Sequence, residues 1–456
     1  MWSSSLLALI LALAPVVRGG NRPVALLVLE TLSVLLLTLT LADRGHLRAV
    51  PRAPLVLLVL LLALPGLYLI PIPFDLWREL PGRGHYASAM AIALGGAHVS
   101  HMPATLDAES TWYSWLALLC PAAVFLAVVA APRERCRGLA NLFLGVAALE
   151  ALLGLVQFGQ GPSSILRLGW EAGGNAIGTY ANRDHLAGLL EMALPMAIAL
   201  WVASLGRGVT DARSGGWRAR LLRVEGRSLL YGFLALLILV GLIFTQSRTG
   251  VALSILLVFL TTILFSFKLG GSNAYGLVGS LFVVGLSVAV MIGLVPVLER
   301  FTTDPMHDAR WGIYAATWTA IKVFFPLGSG VGTYAEVFQR FQTADLSGMF
   351  VNNAHDDYLE WLMEGGAAAA ALVVAFLGLY LVRWFSVYTR GTWRTHNFIQ
   401  VAAGLGVLAM AMHSLVDFNL HIPANQIYLA LLAGLFFRVN AEDVSGHDMG
   451  RRSAGS

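Results

Sequence analysis

Stretches of about 20 residues with little or no charge recur along this chain, each long enough to cross roughly 30 Å of hydrocarbon. Twelve of them lie near 4–17, 23–41, 54–72, 112–131, 139–158, 185–205, 229–246, 250–267, 276–297, 366–384, 397–415 and 422–438. The runs are continuous rather than alternating, which excludes a β-barrel. Only 12% of the residues are charged and 57% are apolar, whereas a soluble globule carries about 25% charged residues. The fold class is therefore an all-α polytopic membrane protein of about twelve transmembrane helices, with one large loop on its outer face carrying short helices. No basic residue precedes the first run in MWSSSLLALILALAPVV, so it reads as a membrane helix and not as a cleaved signal.

Orientation follows from the basic residues. With the N-terminus inside, the inner segments hold 19 of the 30 Lys and Arg, among them Arg133, Arg135 and Arg137, Lys268, Arg383, Arg390 and Arg394. The positive-inside rule then places both termini in the cytoplasm and the loop outside. The chain divides into membrane helices one to nine (1–296), the loop (297–365), helices ten to twelve (366–440) and a cytoplasmic tail (441–456). A net charge of +4 is explained by this topology and gives no reason to invoke nucleic acid. Cys120 and Cys136 fall at different depths and do not suggest a disulfide, and no His/Cys cluster has zinc spacing.

Topology does not ask for cations on the outer face, yet Arg183 in GTYANRDHLAG, Arg248 in FTQSRTG, Arg310 in DARWGIY and Arg340 in FQRF all lie there. Each could be an interfacial arginine snorkelling to lipid phosphates. Several returning to one face from separate segments also suit a pyrophosphate, because guanidinium forks match phosphate oxygens. Glu30, Glu150 and Glu191 lie inside apolar runs, where carboxylates are costly and face a partner or a wet cavity. They are either structural or part of a proton or ion path. The short, broken spans expected of an inverted-repeat transporter are missing.

Within the loop, Ala309–Phe324 has aromatic residues at helical spacing, which predicts a helix lying along the membrane surface. Pro326–Gly332, PLGSGVG, has alternate glycines but neither the lysine nor the strand of a phosphate loop, and reads as a close-packed turn. Asn352 and Asn353 before two aspartates predict a helix start with His355 in its first turn. There the positive helix end would favour a neutral imidazole able to accept a proton. The alternative is a surface histidine beside two acids, and position alone does not separate the two.

In order, SRTG, R-W-x-x-Y ahead of PLGSGVGTY, and NNAHDDYLEWLMEGG resemble the O-antigen ligase and polymerase superfamily of bacterial envelope enzymes. IPIPFDLWRELPGRGHY, LDAEST and HSLVDFNLHIPAN are similar to flanking parts of that family. The resemblance implies a bacterial inner-membrane protein with a periplasmic active site. It implies transfer of a glycan from an undecaprenyl-pyrophosphate carrier, with inversion and without a metal or other cofactor. The acceptor would be lipid A-core, a second lipid-linked glycan in a polymerase of O-antigen or exopolysaccharide repeats, or a pilin serine, and the resemblance does not separate them. Carried over, Arg248, Arg310 and Arg183 would hold the pyrophosphate and His355 would act on the acceptor. Asp356, Tyr334 and Arg340 are possible support. The competing class is a lipid or solute transporter using Glu30, Glu150 and Glu191 as coupling groups.

Overall fold

The computed structural model describes residues 2–43, 50–95, 99–167, 173–210, 226–269, 309–389 and 393–439, with Gly279 and Val283. The expected span at 276–297, Arg300, the start of the loop and the tail lie outside the described residues. Among the described residues eight helices are long and apolar enough to cross a membrane, and three shorter apolar ones accompany them. In chain order they are α1 (Trp2–Leu13), α2 (Pro23–Ala42), α3 (Arg52–Tyr68), α4 (Ala108–Ala130), α5 (Arg133–Gln160), α6 (Arg183–Thr210), α7 (Gly226–Phe244) and α8 (Arg248–Leu269). A loop helix α9 (Arg310–Phe324) precedes α10 (Asp357–Tyr388), α11 (Thr395–His413) and α12 (Pro423–Phe437).

The bundle is organised around α6. Its residues from Leu186 to Val202 are almost wholly inaccessible, and it packs against α7, α8 and α11. Small residues let the backbones approach, as in other membrane bundles. A Cβ at Gly241 would lie 2.7 Å from Ala151, and one at Gly250 would lie 2.7 Å from Ala187. At one end of the bundle the basic residues knit the helices together. Arg383 donates to the carbonyls of Phe436 and Arg438, Arg133 meets His396, and Lys268 lies over the Tyr388 and Trp393 rings.

At the other end, residues 69–95, 99–107 and 309–356 form an outer layer with its own small core around Phe324, Tyr334 and Phe338. A two-stranded ribbon, Pro71–Pro73 against His101–Pro103, is the sheet among the described residues. Arg83 is fully buried in this layer and donates to the carbonyls of Pro81, Ala104 and Gly328. Burial draws it down to about 10, so it remains a cation at neutral pH. On α9 the buried face is Ile313, Ala316, Thr317, Ala320, Ile321 and Phe324. Trp311 and Trp318 stand exposed on the opposite side.

Helix α10 starts later than the asparagines suggest. Asp356 is its N-cap, accepting the N–H groups of Tyr358 and Leu359 at 2.9 and 3.0 Å. Asn353 and the Ala354 N–H are instead taken by Glu360, which reaches back from the next turn. The helix breaks at Gly366 (φ 54°, ψ −141°). The freed carbonyls of Met363 and Glu364 accept the N–H groups of Ser329 and Gly330, and Pro326 accepts from Ala367. The PLGSGVG turn is thus a clamp on the helix break. Gly328 has φ +84°, and a Cβ there would lie 2.2 Å from the Glu364 carbonyl oxygen, so glycine is required.

Candidate active site

Four helix ends meet where the outer layer covers the bundle. The loop before α6 is anchored by α5: Gln157 brackets Gly178 with hydrogen bonds of 2.7 and 2.9 Å. Glu150 accepts the Thr179 N–H and hydroxyl, each at 2.8 Å. Asn182 then accepts the Asp184 N–H and starts the helix, which puts Arg183 and Asp184 at its mouth. Helix α8 begins beside it. The Ser247 hydroxyl accepts the Gly250 N–H as a cap, and Gly250 lies against Ala187, one turn in from Arg183. That contact brings Arg248 to the same end as Arg183.

Arg310 opens α9. It approaches Asp184 at 3.9 Å and donates to the Val416 carbonyl at 2.9 Å. Arg183 also approaches Asp184 at 3.9 Å. Among the described residues Arg248 has no hydrogen bond or ion pair and is partly exposed. Two guanidinium groups, Arg183 and Arg310, are therefore held at Asp184 by the mouth of α6, and Arg248 opens the neighbouring α8, an arrangement suited to an anion.

His355 does not sit in the first turn of α10. It precedes the cap, with φ 55°, a conformation uncommon outside glycine. The helix-end argument for its neutrality therefore does not apply. A different partner orients it: its Nδ1 lies 3.2 Å from an Asp417 carboxylate oxygen. Tyr314 donates to its carbonyl at 2.8 Å, and its ring meets Phe418 edge-on. If Nδ1–H donates to Asp417, Nε2 keeps the free lone pair, on a ring 29% exposed. Asp417 is 1% exposed. Burial alone would raise its carboxyl. The His355 hydrogen bond and the nearby His185, His413 and Arg310 outweigh this and hold it well below the usual carboxylate range.

The segment carrying Asp417 is locked to α10. The Asp357 N–H donates to Ser414, and its carboxylate takes the Leu420 N–H and His421 Nδ1. His421 Nε2 meets Glu360 at 2.9 Å. Burial opposes charge on His421, but Glu360 and Asp357 together raise it well above the usual histidine range.

Of the residues singled out in the sequence, Arg183, Arg310 and His355 come together here, with Arg248 alongside. Asp356 is a helix cap, its carboxyl pushed up by burial. Tyr334 lies in the core of the outer layer, bonded to Thr317 at 2.7 Å. Arg340 sits over the Tyr86 and Phe341 rings. Sequence reasoning passed over Asp184, His413 and Asp417, although GTYANRDHLAG and HSLVDFNLHIPAN contain all three. Asp184, His413 and Asp417 bring ligand-type atoms within 4.8 Å of one another. Arg310 already faces Asp184, and Glu191 faces His413 at 2.9 Å. Cys120 and Cys136 are both free and buried.

Fold and site together define an all-α polytopic membrane protein with a cationic, histidine-bearing cluster at one end of its bundle. Residues 233–374 match the family model described as O-Antigen ligase, which supports a likeness to the O-antigen ligase superfamily. The matched stretch includes Arg248, Arg310 and His355 and points to a glycosyltransferase-like enzyme. No curated protein matches the chain.

Proposed function

We propose that this protein is a metal-independent, inverting glycosyltransferase of the bacterial inner membrane. It moves a glycan from undecaprenyl pyrophosphate to an acceptor hydroxyl at the periplasmic face. The observation that carries the reading is the pairing of His355 with buried Asp417 beside Arg183, Arg248 and Arg310. The arginines and the two helix ends hold the pyrophosphate. His355 Nε2 takes the acceptor proton as that oxygen attacks the anomeric carbon from the face opposite the leaving group. The bond from that carbon to the pyrophosphate oxygen breaks, and its electron pair leaves with polyprenyl pyrophosphate. Positive charge held ready at the leaving oxygen lowers the barrier without reorganisation.

The side assignment is supported by the basic residues at the far end of the bundle, which the positive-inside rule makes cytoplasmic. A transporter is disfavoured because Glu150 and Glu191 have partners inside the protein. Ligation to lipid A-core is the preferred reaction. Purified protein in lipid, given a lipid-linked glycan with both lipid A-core and a second lipid-linked glycan, should form the lipid A-core product. An extended lipid-linked chain as the main product would make it a polymerase, and no transfer to either would refute the reading.

A further inference from the structure

Behind the His355–Asp417 pair lies a second pair that the proposed mechanism does not use. Glu191, two turns inside α6, and His413, the last residue of α11, are both buried and meet at 2.9 Å. Ligand-type atoms of His413, Asp184 and Asp417 lie within 4.8 Å of one another. Asp184 and Asp417 are thus close enough for each to oppose the other's ionisation. A shared proton on Asp417 would remove the charge that orients His355. Arg310 faces Asp184 at 3.9 Å, while the second Asp417 oxygen has no hydrogen-bond partner among the described residues. His413 lies near it as well as Arg310 and His185, and its imidazole has three carboxylates around it.

We infer that Glu191 and His413 are a positioning pair: Glu191 holds His413 as an imidazolium, and this buried charge keeps Asp417 anionic so that it can orient His355. The inference rests on the transferase reading for its kinetic consequence but not for its structural one. The charged and titratable groups around His413 are Asp184, His185 and Glu191 from α6, Arg310 from α9, His355 ahead of α10, and Asp417 after α11. Removing the His413 charge favours protonation of Asp417, so the orienting charge is lost earlier as pH falls and the acid limb of activity moves to higher pH.

The test uses the full-length protein in lipid. His413→Gln should lower kcat at least about tenfold at unchanged donor KM and move the acid limb of the kcat profile upward. A loss of the same size at every pH would mean that His413 only packs, and would overturn the inference. Infrared difference spectra read the charge without turnover. His413→Gln should gain a neutral carboxylic acid band at neutral pH that disappears on adding Asp417→Asn or Asp184→Asn. No gained band, or one removed only by Glu191→Gln, overturns the inference. In the unmodified protein, ring-nitrogen resonances should show His413 cationic at neutral pH; a neutral ring overturns it without any variant. If the wild-type protein transfers nothing, the functional reading fails, and the infrared and resonance results still decide the charge on Asp417.

Discussion

Replacing Asp417 with asparagine isolates the part of the site that depends on orientation. The side chain is buried and nearly isosteric, so packing changes little while the charge facing His355 is lost. A positioned general base contributes about 10²–10⁴-fold. The His355–Asp417 contact of 3.2 Å is at the long end for such a bond, which argues for the lower part of that range. We expect kcat to fall about 10²–10³-fold, roughly 2.7–4 kcal/mol of barrier. Arg310 is held by Asp184 and the Val416 carbonyl, so donor affinity should be unchanged or slightly tighter. The assay is transfer from a lipid-linked glycan with donor binding measured separately, in Asp417→Asn, His355→Ala and the double variant. If Asp417 works through His355, the second substitution adds almost nothing to the first. Multiplying effects would show that Asp417 acts by another route, and an unchanged kcat in Asp417→Asn would refute the pairing altogether.

Other outcomes follow from the same geometry. Arg248→Lys keeps the charge but loses the fork, and should cost at least about tenfold in turnover, roughly 1.4 kcal/mol; full activity at equal protein level would reduce Arg248 to a lipid-facing residue. Transfer should proceed in EDTA, since protein cations already surround the site, and turnover restored only by added magnesium or manganese would contradict this. Gly328→Ala forces a left-handed backbone and a contact on Glu364, and should destabilise the protein by about 1–3 kcal/mol in thermal unfolding. His421 is raised by its two carboxylates. Its contribution is complete below the unfolded value near about 6.5 and is lost as pH rises through the folded one. Melting temperature should therefore fall on the alkaline side, and His421→Gln should flatten that slope.

The membrane helices were legible because each must satisfy its own backbone in hydrocarbon, which forces a long, continuous apolar run. Arg183 and Arg310, which meet at Asp184, stood out in the sequence as exceptions to the expected charge distribution. What the sequence hid were pairings set by tertiary contact. His355 and Asp417 are 62 residues apart, and nothing local links them. The asparagines at 352 and 353 looked like a cap, but Glu360 claims that stretch from the helix side and Asp356 becomes the cap. Arg83 drew no separate reading in the sequence and is a buried strut between three carbonyls.

The break at Gly366 has a mechanical consequence. Above it, α10 is fastened to the outer layer through Asp357, Glu360 and Glu364, the last accepting the Tyr334 N–H. Below it, Val374, Leu381 and Phe385 stand exposed along the same helix, on the part that lies in lipid. A helix answers a change in bilayer thickness by tilting, and an unbroken rod would carry that tilt into the turn bearing His355. Here the PLGSGVG turn fastens the chain on both sides of the break, at Met363 and Glu364 above and at Ala367 below, so a tilt of the lower segment is opposed at the glycine before it reaches the site.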